Sequence, residues 1–316
     1  MTPDSYTNSE QMLAVGDGHE LYVHDWGKSD AMDTLFFLHG GPGSGCGDGH
    51  KDIFDPSTQR VIFFDQRGAG KSTPKGSLEA NTTDKLVSDI TAIADKLGIQ
   101  QFRLVGGSWG STLALAYALE HPERVSSMVL RGLFTGSKRE VDFLMQGKFS
   151  NFFPEVWEAY QQRTPQQHRQ DPSAYHVPRA LGDEPTAAKE SAYALAELEG
   201  SLTRLDERRV PAVFADYDPA GTRLETHYTS NGCFLPERFI QDNAGKLQMP
   251  IILIQGRYDM ACPPETAYEL SKLLPNATLI WTLAGHSGND RANFVATKTA
   301  IASLVSSGAR QLGSKS

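Results

Sequence analysis

Short, unbroken apolar runs recur along this chain, and each ends in a polar or glycine-rich turn. Thr34–Leu38 (TLFFL), Arg60–Phe64 (RVIFF), the run through Phe102, Leu104 and Val105, Val125–Leu130, Met249–Gln255 (MPIILIQ) and Thr278–Leu283 (TLIWTL) all have strand length. Runs without polar alternation predict strands buried on both faces, as in a parallel sheet. Between them the period changes. Leu86, Ile90, Ile93 and Leu97 share one face of a helix predicted over Thr83–Leu97, which opens on a Thr/Asp cap. Further helices are predicted over Thr112–Glu120, Glu265–Leu273 and Arg291–Ser306. The start of the chain reads as an antiparallel lead-in, with Gly16-Asp17-Gly18 turning between Met12–Val15 and Glu20–His24. The predicted class is α/β, a mostly parallel sheet with helices on both faces.

The alternation breaks over residues 134–246. Strand-like runs give way to polar helical segments with aromatic anchors at Phe149, Phe152, Phe153, Trp157 and Tyr160. Pro165, Pro172, Pro178 and Pro185 are expected to punctuate the linking loops. The pattern predicts a core over 1–133 and 247–316 with a helical cap, 134–246, inserted between its strands.

Composition excludes several classes of partner. A net charge of −8 argues against nucleic acid and anionic membranes. No apolar run approaches a membrane span. The N-terminus lacks a basic and apolar leader pattern, and Cys46, Cys233 and Cys262 fit neither a metal site nor a disulfide framework. A cytoplasmic, reducing location is the expectation.

The chemistry concentrates where strands end. Gly106-Gly107-Ser108-Trp109-Gly110 follows one strand and opens one helix. A serine exposed on so sharp a turn needs neighbours without side chains at Gly106 and Gly110. His39-Gly40-Gly41-Pro42-Gly43 follows the Thr34–Leu38 strand, and such a loop offers the unhindered backbone N–H groups an oxyanion hole requires. Asp259 and His286 each follow a late strand, whereas His24, His39, His50 and His227 do not. Asp65 and Arg67 read as a pair that shapes its own loop. Three residues at strand ends, in the order Ser108, Asp259, His286, predict a nucleophile, an orienting acid and a base. The N–H of Trp109 and that of Gly41, with Gly40 the other candidate, are expected to hold an oxyanion.

HGGPG at 39–43, DQRGAGKS at 65–72, GGSWGS at 106–111, LRGLF at 130–134 and GRYDMACPP at 256–264 together resemble the proline iminopeptidase family of α/β-hydrolases. That resemblance implies a serine aminopeptidase with a helical cap, needing no metal or cofactor. Its substrate would be a small peptide or amide with a free N-terminal amine. It also implies that cap carboxylates hold the amine. The matching positions are Glu199 in Leu198-Glu199-Gly200 and Glu225 in Arg223-Leu224-Glu225-Thr226-His227-Tyr228, and Phe134 would line the prolyl pocket. The residues themselves agree for Glu199, which borders a helical stripe of Leu195, Leu198, Leu202 and Leu205. Tyr193 and Leu198 stand where the family tends to carry tryptophans, and Thr229 where it usually has an aromatic, so the acyl pocket is expected to differ. An amidase, esterase or thioesterase on the same three residues is the alternative reading.

Overall fold

The computed structural model describes residues 5–205 and 213–312. Eight strands form one sheet in the order β1-β2-β4-β3-β5-β6-β7-β8. They are β1 (Thr7–Gly16), β2 (His19–Gly27), β3 (Thr34–Leu38), β4 (Arg60–Phe64), β5 (Phe102–Ser108), β6 (Val125–Leu133), β7 (Ile251–Gly256) and β8 (Ala277–Thr282). The β1–β2 and β2–β4 pairs are antiparallel, as the lead-in predicts, and every later pair is parallel.

The unbroken apolar runs are explained by burial on both faces. Phe36, Leu38, Ile62, Phe64 and Leu104 enter one core, with Leu86, Ile90 and Ile93 of α1 (Thr83–Lys96) and Leu113 and Tyr117 of α2 (Trp109–Glu120). The alternate residues Leu35, Phe37, Val61, Phe63 and Val105 enter the other, against Ala300 and Ile301 of α10 (Arg291–Leu312). Helix α9 (Pro264–Leu273) adds Ala267 and Leu270 to the first core. The predicted α/β class is therefore the observed one.

Among the described residues between β6 and β7 the regular elements are helical: α3 (Lys138–Met145), α4 (Pro154–Gln162), α5 (Pro172–Leu181), α6 (Pro185–Gly200), α7 (Ala220–Ser230) and α8 (Phe239–Asn243). Phe149, Val156, Tyr160, Leu195 and Leu198 make a third apolar cluster, which Met260 of the sheet region joins. Three expectations fail here. Pro178 lies inside α5 instead of in a loop. Phe152 is 70% exposed and anchors nothing, although Phe149 beside it is fully buried. Leu205 leaves the predicted stripe at 48% exposure, because α6 stops at Gly200 and its periodicity stops with it.

Candidate active site

Strand β5 delivers Ser108 and α2 begins at the next residue. Ser108 has φ 57° and ψ −128°, a conformation costly for any residue with a side chain. A Cβ on Gly106 would strike the Gly110 carbonyl, and one on Gly110 would strike the Leu38 carbonyl. Both glycines are therefore needed to bring β5, β3 and α2 this close, as the spacing predicts. Trp109 is buried, and its indole Nε1–H donates to Gln66 Oε1 at 2.8 Å. Gln66 Nε2 in turn donates to the His39 carbonyl at 3.0 Å, while the Gln66 backbone N–H donates to His39 Nε2. One buried glutamine thus joins the serine turn to the root of the glycine loop. His39 is spent on this role: it is buried and bonded on both ring nitrogens, and burial lowers its pKa. The glycine loop then passes beside Ser108. A Cβ at Gly40 would lie 3.4 Å from Ser108 Cβ and 3.9 Å from its Oγ, and Gly41 turns with φ +105°.

Asp259 follows β7 and His286 follows β8, and the two meet: His286 Nδ1–H donates to Asp259 Oδ2 at 2.8 Å. Asp259 is 1% exposed, and its other oxygen accepts the N–H groups of Ala261 at 3.0 Å and Cys262 at 2.8 Å. A carboxylate acceptor places the proton on Nδ1 and leaves Nε2 able to accept one. The parallel register brings Ser108 to the same edge, since Ser108 pairs with Leu133 and Gly132 beside it faces His286. Ser108 Oγ itself makes no hydrogen bond to His286 among the described residues. The Oγ instead lies 4.0 Å from Cys262 Sγ. Hydrogen bonds of this kind are often open in unliganded enzymes and tighten with substrate. Cys262 does not compete as nucleophile, because burial and then the Asp259 charge push its thiol well above the usual range.

The two carboxylates expected from the resemblance come together. The carboxyl of Glu225 on α7 lies against that of Glu199 on α6, close enough for each to act on the other. Burial first, then the charge of Glu199, push the Glu225 carboxyl well above its ordinary range. Among the described residues no Lys or Arg pairs with either carboxyl. Helix α7 is seated on the glycine loop. A Cβ at Gly43 would fall 2.7 Å from the Gly221 carbonyl and 3.1 Å from Leu224 Cβ. Tyr228, one turn along from Glu225, stacks edge-on against Trp109 at 4.8 Å and donates to Asn81 Oδ1 at 2.8 Å. The Glu199 charge is also felt by Cys262, the neighbour of Ser108. Phe134 stands half-buried past the end of β6, its carbonyl held by the Thr112 hydroxyl and its N–H by that of Ser111.

Asp65 and Arg67 do not pair with each other. Asp65 accepts the N–H groups of Cys46 at 2.6 Å and Lys71 at 2.8 Å, whereas Arg67 forms a buried fork with Asp89 and reaches Asp17. Both nonetheless shape the loop. Four contributors were not foreseen as parts of the site: Gln66, Gln255, Gly132 and Arg131. Arg131 donates to the His286 carbonyl from beneath the glycine turn, where Cβ atoms at Gly107 and Gly288 would crowd its guanidinium at 2.6 and 3.2 Å. The available signal was a polar residue at the end of an otherwise apolar run. Gln255 in MPIILIQ and Arg131 after Val125–Leu130 both answer to it.

A parallel sheet whose edge carries a strained serine and an Asp–His pair defines an α/β-hydrolase, and residues 33–290 match the family model for the alpha/beta hydrolase fold. Among curated relatives, the proline iminopeptidase of Xylella fastidiosa (strain 9a5c) is 39% identical over 93% of this chain and 96% of its own. That of Arabidopsis thaliana is 40% identical over 88% of this chain and 75% of its own. The chain belongs to the proline iminopeptidase family and is a serine hydrolase similar to prolyl aminopeptidases. Solved structures agree on the fold. A Mycobacterium smegmatis proline iminopeptidase superposes with a TM-score of 0.62 at 21% identity, covering 95% of this chain and 98% of its own. An esterase from Exiguobacterium antarcticum superposes with a TM-score of 0.60 at 19% identity, covering 94% of this chain and all of its own. No helix among the described residues is long and apolar enough to cross a membrane.

Proposed function

We propose that this enzyme removes an N-terminal proline from short peptides through an acyl-enzyme formed on Ser108. His286 takes the Ser108 proton as Oγ attacks the prolyl carbonyl, and Asp259 holds the ring and stabilises the imidazolium. The N–H groups of Gly41 and Trp109 receive the oxyanion. His286 then protonates the leaving amine, and water activated by the same ring releases proline from the ester. The residues 134–246 act as a cap over the core formed by 1–133 and 247–316. On that cap Glu199 and Glu225 bind the substrate's ammonium, and Phe134 lines the prolyl pocket. A reducing, cytoplasmic setting suits the three free thiols.

One observation carries the reading: two adjacent carboxyls have no cationic partner among the described residues, and the helix that bears Glu225 packs its Tyr228 against Trp109 of the serine turn. Such a pair is unfavourable until a cation arrives, and the family's substrates bring one in their N-terminal amine. A panel of arylamides tests it. Prolyl arylamide is expected to be cleaved faster than alanyl arylamide. N-acetylprolyl arylamide is expected to lose about a hundredfold or more, because the carboxyls are left unpaired. Equal cleavage of the blocked and free prolyl compounds contradicts the proposal.

A further inference from the structure

Gln255 is wholly buried, the one polar side chain of β7. A buried primary amide has to place both donors and its acceptor, and here each is placed on the machinery of the site. Its Nε2 donates to Asp259 Oδ2 at 3.1 Å and to the Cys262 carbonyl at 2.9 Å. Its Oε1 accepts the Leu133 N–H at 2.8 Å. The orientation of the amide is not open to choice: two partners can only accept and the third can only donate, so a flipped amide would lose all three bonds.

Each partner leads to a different part of the reaction centre. Leu133 is the register partner of Ser108 across β5 and β6. Asp259 Oδ2 is the same oxygen that His286 engages. Cys262 lies beside Ser108 Oγ and also gives its N–H to Asp259. With His286 pulling on one side of Oδ2, Gln255 supplies the opposing donor that stops the carboxylate from rotating away from the ring.

We propose that Gln255 is a positioning residue for the reaction, acting through Asp259: its amide locks the carboxylate against His286 and fixes both to the strand that pairs with Ser108. This inference rests on the triad reading above. It does not depend on the acyl group, because it concerns only how the acid is held.

The test is a double-mutant cycle between Gln255→Met and Asp259→Asn in the full-length enzyme, read with a prolyl arylamide and with a neutral acyl ester. Met keeps the length and volume of the side chain and removes its polar atoms. Gln255→Met alone is expected to lower kcat by roughly 10- to 100-fold with KM within about twofold, the pattern of misplaced machinery. In the Asp259→Asn background the same change is expected to cost less than about twofold, since the group it positions is gone. Gln255→Glu keeps the acceptor for Leu133 and serves if Gln255→Met does not fold. Multiplicative losses, a loss carried by KM, a kcat within about threefold of the parent, or failure of both variants to fold overturns the inference. Persistent activity in Ser108→Ala instead defeats the triad reading itself. Turnover of the ester but not the arylamide defeats only the proposed substrate.

Discussion

Gly132 and the His286 ring are in contact: a Cβ at position 132 would stand 3.0 Å from His286 Cε1 and 3.1 Å from Nδ1. The glycine also turns with φ +56°. The end of β6 is therefore cut away to admit the imidazole beside the strand pair that carries Ser108.

Gly132→Ala should push the ring off its Asp259 bond and strain the turn. The expected result is a fall in kcat of about a hundredfold or more, with roughly 1 kcal/mol of lost stability. Steady-state kinetics beside thermal melting separate the two effects. A variant that loses stability and keeps kcat shows that the ring does not need this space.

Gln66→Leu orphans the Trp109 indole N–H and the His39 carbonyl, both buried. Each unmet group costs about 1–3 kcal/mol, so the melting temperature should drop by several degrees. Because the same bonds hold the glycine loop against the serine turn, kcat should fall by about tenfold or more in the fraction that remains folded. Titrating active sites with a fluorophosphonate corrects for unfolded enzyme.

Glu225→Gln makes a signed prediction in pH. Burial and the neighbouring Glu199 hold the native carboxyl well above its ordinary value of 4.5. Above that value the unfolded chain releases a proton that the native state retains, so the native state is penalised increasingly as pH rises. The variant removes the penalty. Its melting temperature should exceed the parent's at pH 8, and the gap should close toward pH 4.5. Its kcat/KM on prolyl arylamide should fall by about a hundredfold, with the neutral ester little affected. Equal losses on both substrates would remove Glu225 from amine recognition.

His176 offers a second pH test, in the helical segment. It is buried between the Thr164 hydroxyl at 3.1 Å and the Ser191 hydroxyl at 3.3 Å. Burial, then the charges of Arg179 and Arg163, lower its pKa from 6.5 to about 4. A histidine held neutral in the native state costs stability as pH falls from 6.5 through about 4, where the unfolded state takes up the proton first. His176→Asn should therefore be less stable than the parent at pH 8 but decline less steeply on acidification. Parallel decline in both proteins would assign the acid sensitivity elsewhere.

Much of this site is legible in the sequence, because its main parts sit where one element gives way to another. The glycines around Ser108, the polar ends of apolar runs and the order Ser108, Asp259, His286 are local signals. What escapes is whatever depends on register between distant strands. Gln255 is an unremarkable strand residue until Leu133 and Asp259 are known to flank it. Gly132 is one glycine among 29 until the His286 ring is placed against it. Leu205 fails for the opposite reason: the apolar spacing runs on past Gly200 in the sequence, whereas the helix itself ends there.

The central claim is that Ser108 attacks an acyl group whose amine is held by the cap. Fluorophosphonate labelling followed by peptide mass spectrometry tests it most directly. The account predicts a single label on Ser108, slowed by free prolyl substrate, unaffected by N-acetylprolyl compound and lost in His286→Ala. A label on another residue, or undiminished prolyl hydrolysis by Ser108→Ala, would contradict it.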